Sequence, residues 1–190
     1  MRSARPAGAV VIRRLHPTDG PACDRVILSL PYHFGHEGGR QQCAEAVRTG
    51  DGLAAVLDGE VVGFLTVERC GAESAEITWL AVEMAHRRRG IGRALVARLV
   101  SLLRGEGRRV LLVHTASSRQ DETGVTDGYA GTRAFYRRLG FVEAREYPDL
   151  WPASPAVLFV LPLAAPLSAM PPGGVAYGPG QGRPGEEQLR

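Results

Sequence analysis

The sequence contains no lysine and no asparagine, so each of its 23 basic side chains is an arginine. The missing lysine excludes Schiff-base chemistry, a P-loop with its phosphate-binding lysine, and a lysine general base. Arginine stays protonated, with a pKa above about 12, so these cations can hold anions but cannot shuttle protons. Cysteine is scarce: Cys23, Cys43 and Cys70 are an odd set without a CxxC pair. That argues against a disulfide framework or a structural zinc site and leads us to expect three buried or half-buried thiols in a reducing compartment. Long apolar runs are missing as well. Residues 7–12 are apolar but end at Arg13-Arg14, too short for a signal peptide. Residues 156–170 are broken by Pro162 and Pro166, short of the roughly 20 residues that span a bilayer. A cytoplasmic protein is expected.

What is present suits a globular domain. The 190 residues are 44% hydrophobic and 23% charged, with a net charge of +3, the size and composition of one domain. The charge is unevenly placed. Eight arginines and one acid, Glu106, fall between His86 and Arg109, a local +7, which leaves −4 for the remainder. Such a focus suits a multiply phosphorylated small molecule better than a nucleic-acid track, which needs a broader stripe interleaved with aromatics.

Hydrophobic periodicity and turn residues order the chain. A strand is expected over 9–15, then a helix capped by Thr18 or Asp19, running through Val26, Ile27 and Leu30 and ended by Pro31. An irregular aromatic loop, 32–36, and a helix over 40–48 follow. Runs 53–57 and 61–68 around Asp58-Gly59 read as a hairpin. A strand over 76–82, a helix over 91–103 and a Val/Leu-rich strand over 110–114 come next, then a polar loop over 115–127. A helix over 129–139 ends at Gly140, placed for a left-handed cap. Strands over 141–147 and 156–163 complete a domain of residues 1–163. The order is β-α-α-β-β-β-α-β-α-β-β, an α/β fold with a mixed sheet. Residues 164–190 are rich in Pro and Gly and are expected to form a disordered tail, because they cannot bury enough apolar surface to order themselves.

The most informative stretch joins a strand ending at Val82 to a helix beginning near Ile91 through Arg87-Arg88-Arg89-Gly90-Ile91-Gly92. Backbone N–H groups at a helix start lack internal partners and the helix dipole adds positive potential, so this is an anion site. Gly90 and Gly92 allow close approach of a pyrophosphate, and Arg87, Arg88, Arg89 and Arg93 supply forked donors. A Rossmann turn fails because Leu95 stands at the third glycine position. The segment instead meets Arg/Gln-x-x-Gly-x-Gly/Ala, a coenzyme A signature.

With Glu76-Ile77-Thr78-Trp79-Leu80-Ala81-Val82 before it and Ala134-Phe135-Tyr136-Arg137-Arg138-Leu139-Gly140-Phe141 after it, the chain resembles the GNAT superfamily of acyl-CoA-dependent N-acyltransferases over roughly residues 9–163. Leu30-Pro31-x-x-Phe34-Gly35 and Asp149-Leu150-Trp151 look like a bacterial subgroup. The resemblance implies a mostly antiparallel sheet with two central strands splayed into a V, and acetyl-CoA as cosubstrate. It also implies that the pantetheine arm lies along Leu80, Ala81 and Val82, and that a backbone N–H near Leu80 or Ala81 polarises the thioester. The pyrophosphate would be held by Arg87, Arg88, Arg89, Gly90, Ile91, Gly92 and Arg93. One departure matters: Tyr129 stands where many members carry an asparagine that contacts the cofactor, so that contact is not carried over.

An alkyl amine is mostly protonated near neutrality, so transfer needs a base. The resemblance points to Glu76, with His114 as the alternative. Tyr136 is the general acid that it implies for the departing thiolate. From the residues themselves, Tyr32, Phe34 and Trp79 are expected to shape the acceptor pocket, and Asp121, Glu122 and Asp127 to attract a cationic amine. His33-x-x-His36-Glu37 lacks the further ligands a metal needs, so no metal is expected. The expected reaction is direct attack of a primary amine on acetyl-CoA in a ternary complex, with no nucleic-acid or membrane partner and with a homodimer as an option. The other reading is a non-catalytic acyl-CoA-binding sensor. Candidate acceptors are a protein N-terminus or lysine, a polyamine, an antibiotic amine, an amino acid or an aminoacyl-tRNA.

Overall fold

The computed structural model describes residues 8–34, 37–117, 127–151 and 154–163. Seven strands form one sheet: β1 (Val11–Arg14), β2 (Asp51–Leu57), β3 (Glu60–Glu68), β4 (Ser74–Val82), β5 (Val110–Ala116), β6 (Val142–Trp151) and β7 (Ser154–Pro162), in the spatial order β1-β2-β3-β4-β5-β7-β6. Four helices accompany them: α1 (Gly20–Leu28), α2 (Glu37–Thr49), α3 (Ile91–Gly105) and α4 (Ala130–Arg138). The element order and the α/β class match the sequence reading. Every neighbouring pair is antiparallel except β4 and β5, which are parallel and joined through α3.

Side-chain alternation along the strands separates two cores. Leu53, Leu65 and Ile77 pack with Leu95 and Leu99 of α3 and Tyr136 of α4 on one face. Ala54 and Phe64 pack with Val26 and Ile27 of α1 and Cys43 and Val47 of α2 on the other. Burying side chains of this size is worth about 1.5–3 kcal/mol each, which clamps both layers to the sheet. Asp58 and Gly59 both have positive φ, +51° and +88°, the two-residue turn that suits the twist of β2 and β3. Gly140, at φ +89°, ends α4: its N–H donates to Arg137 O at 3.0 Å and the Phe141 N–H to Tyr136 O at 3.1 Å, a Schellman motif.

Several boundaries and contacts differ from the sequence reading. Asp19 does not cap α1 with its side chain; its carboxylate instead accepts from both guanidinium nitrogens of Arg13, at 2.7 and 2.8 Å, and from the His16 N–H at 2.9 Å. A charged bidentate donor outcompetes a neutral helix amide. β5 continues through Thr115 and Ala116 because β7 pairs with it there, and β6 extends to Trp151. Cys23 and Cys43 are buried, but Cys70 is exposed just beyond β3. The segment 118–126, with Asp121 and Glu122, and the segment 164–190 lie outside the described residues, as do Gly35 and His36. Among the described residues no helix is long and apolar enough to cross a membrane.

Candidate active site

β4 and β5 pair only from Ser74↔Val110 to Ile77↔Val113. Beyond Ile77 they part, and β5 turns its remaining pairing to β7 alone. The separation begins where the β3–β4 register shifts: Thr66 pairs with Trp79 and Val67 with Ile77, so Thr78 is the extra residue. A bulge bends and twists its strand. It lies two residues ahead of Leu80, at the start of the splayed half of β4. The Thr66 and Thr78 hydroxyls meet at 2.7 Å across it.

Two cavities open along this gap. One, about 450 Å³, is lined by Leu80, Ala81 and Val82 of β4, by Arg87, Arg88, Gly90, Ile91, Gly92 and Arg93 at the start of α3, and by Phe135, Tyr136 and Arg138 of α4. The other, about 480 Å³, is lined by Glu76, Trp79, His114, Tyr129, Leu150 and Trp151 among others. His33, Phe34, Leu80, Thr132 and Tyr136 line both. The two cavities therefore meet on a common wall at the opening of the V.

The first cavity has the chemistry of an anion site. Gly90, the residue before α3, sits at φ +83°, and no atom lies within 4 Å of where its Cβ would be. The left-handed turn, not crowding, demands glycine there. The first N–H bonded within α3 is that of Ala94, to Gly90 O at 2.9 Å. By helical geometry the preceding amides have no intrahelical acceptor and are free to donate to a phosphate. Arg88 also has positive φ, +65°, which curls the chain around this end. Gly92 has a second role: a Cβ there would stand 3.2 Å from Phe135 Cζ, so its absence lets α3 and α4 close together. Arg89 is exposed and is not part of the cavity wall.

In the second cavity, Glu76 and His114, alternatives in the sequence, form one unit. Glu76 Oε1 lies 2.7 Å from His114 Nδ1, across the parallel pair. With Nδ1 donating to the carboxylate, Nε2 is the accepting nitrogen. The Tyr147 ring of β6 meets the imidazole edge-on at 5.7 Å. Tyr136 is 4% exposed and stacks among Phe135, Phe141 and Phe159. Burial pushes its phenol far up, so it stays protonated.

Of the residues expected to shape the acceptor pocket, Phe34 and Trp79 face each other at 5.8 Å and line it. Tyr32 does not line it; its hydroxyl oxygen accepts from the Gly128 N–H at 3.1 Å. His33 and Tyr129, which the sequence left without a site role, are wall residues. The Tyr129 hydroxyl donates to His33 O at 3.3 Å and the two rings meet at 5.1 Å. Burial, and then the Arg87 charge, hold the His33 imidazole below the usual histidine value, favouring its neutral form. Asp127 does not face a substrate but pairs with Arg133. Arg133, 4% exposed, also donates to Ala116 O at 2.9 Å and Ser117 O at 3.2 Å, tying α4 to the end of β5. A buried arginine at a loop-to-helix junction carries no sequence signal that separates it from the chain's many exposed arginines. Among the described residues no three His, Cys, Asp or Glu side chains gather as metal ligands.

The acetyltransferase (GNAT) domain family model matches residues 49–143, half of the chain. The chain belongs to the GNAT acetyltransferase family. Solved structures with the same fold include a protein from Desulfovibrio desulfuricans described as a GNAT-family acetyltransferase. It is 25% identical, over 82% of this chain and 100% of its own, with a TM-score of 0.70. The ribosomal-protein-S18-alanine N-acetyltransferase of Escherichia coli is 21% identical over 85% and 99%, with a TM-score of 0.67. A Salmonella typhimurium protein solved with its cofactor acetyl-CoA is 20% identical over 84% and 99%, with a TM-score of 0.61. The protein thus shares its fold with these proteins.

Proposed function

We propose that the protein transfers the acetyl group of acetyl-CoA, its cosubstrate, to a primary amine by direct attack in a ternary complex. One observation carries this reading: an arginine-rich cavity at the start of α3 and a cavity holding Glu76 and His114 share a wall that includes Tyr136. A long anionic cofactor in the first cavity would bring its acyl end to the second. Residues 90–93, Arg87 and Arg88 hold its pyrophosphate, while Leu80, Ala81 and Val82 line its arm. The cosubstrate supplies an activated acyl group. The His114 Nε2, oriented by Glu76, takes the amine proton directly or through water. A backbone N–H near Leu80 or Ala81 steadies the negative charge that develops on the carbonyl oxygen. The C–N bond forms, the C–S bond breaks, and Tyr136 gives its proton to the departing sulfur. We assign residues 1–163 to this catalytic domain and residues 164–190 to a tail outside it.

Thiol release from acetyl-CoA with a panel of amines, alongside calorimetric binding of CoA, tests this. Turnover with at least one amine is the expected result. CoA binding with no turnover on any acceptor would support the non-catalytic sensor, and no CoA binding would remove both readings.

A further inference from the structure

We propose that the acceptor is a monoamine carried on an apolar or aromatic body that bears no carboxylate or phosphate. This rests on the transferase reading above and concerns only the cavity of about 480 Å³. Its walls present the rings of Phe34, Trp79, Tyr129 and Trp151. Among the described residues that line it, Glu76 is the one carboxylate and no arginine is present. The other cavity, by contrast, is lined by Arg87, Arg88, Arg93 and Arg138.

This composition selects by chemistry. A carboxylate or phosphate on the acceptor would be desolvated beside Glu76 with no arginine among the described lining residues to receive it. A polyamine would bring two or more charges to the one carboxylate among the described lining residues. One ammonium group meets Glu76 before it loses its proton, and the ring faces attract both the cation and the apolar body behind it. The rings are also held in place. Tyr129 is fixed by its bond to His33 O at 3.3 Å and Phe34 by the Trp79 ring at 5.8 Å, so little ordering remains to be done when the acceptor enters.

The test is kcat/KM at saturating acetyl-CoA for 2-phenylethylamine, phenylalaninol, phenylalanine and spermidine. Phenylalaninol and phenylalanine have amines of similar basicity and differ at the carboxylate. The first two should exceed the last two by about tenfold or more. Trp151, 39% exposed, can be removed with little effect on folding. Trp151→Ala should raise the KM for 2-phenylethylamine about fivefold and leave that for acetyl-CoA unchanged. Phenylalanine or spermidine turned over as well as 2-phenylethylamine overturns this acceptor class and leaves the transferase reading standing. So does turnover of a lysine peptide when all four fail. If no amine at all is acetylated while CoA binds, the transferase reading falls and this inference falls with it.

Discussion

The Glu76–His114 pair offers a test that separates structure from chemistry. Its bond is 2.7 Å long, and the two side chains are 25% and 23% exposed. Glu76→Gln keeps an oxygen that can accept from Nδ1 and removes the charge. Folding stability should then change by less than about 1 kcal/mol, because a neutral bond of similar geometry replaces a charged one at a partly exposed position. The rate should respond far more. A positioned base contributes about 10²–10⁴-fold, equivalent to about 2.7–5.5 kcal/mol of barrier. We expect kcat/KM to fall about 10²-fold in Glu76→Gln and about 10³-fold in His114→Gln. If the two act as one unit, the double variant should be no slower than His114→Gln, within about threefold. Independent action would give a product of losses near 10⁵. Thiol release from acetyl-CoA measures the rates, and urea unfolding of the same samples measures stability. Multiplying losses, or full activity in either single variant, would refute the paired base.

Tyr136→Phe should lower kcat about 10²-fold with little change in the KM for acetyl-CoA, since the ring stays and only the proton donor goes; a raised KM with unchanged kcat would count against acid catalysis. Arg13 holds the Asp19 carboxyl below its ordinary range. A lowered acid contributes stability that is complete above its unfolded pKa of about 3.9 and lost as pH falls through the folded value. The wild type should therefore exceed Asp19→Asn in urea midpoint near pH 6, with the gap shrinking as the pH falls below the ordinary carboxylate range; a gap that stays constant with falling pH would contradict the ion pair. Burial pushes the Cys23 and Cys43 thiols up to about 12, whereas Cys70 is exposed. A thiol reagent should label Cys70 alone in the native protein and all three cysteines in denaturant, as read by mass spectrometry.

Local patterns made much of the fold legible. Asp58-Gly59 between apolar runs marked the β2–β3 hairpin, and Gly140 after an amphipathic run marked the end of α4, because positive φ at a fixed place selects few residue types. The turn into α3 was legible for the same reason: Gly90 is required by its own backbone, and the helix-start amides that follow it lie in consecutive residues. Asp19 as a helix cap was misread because the helix amide and the Arg13 guanidinium compete for one carboxylate, and only three-dimensional proximity shows which is stronger.

By itself, then, the sequence determined the order of the elements, the β2–β3 hairpin turn and the glycine turn that opens α3, since each depends on residues close together along the chain. The tertiary structure decided what lies between distant residues. It joined Glu76 to His114, 38 positions apart, into one pair, and brought Tyr129 onto His33 across 96 positions. The first depends on the register of the parallel pair β4 and β5, the second on how the loop after α1 meets the start of α4, and both are set by packing across the whole sheet rather than by neighbouring residues.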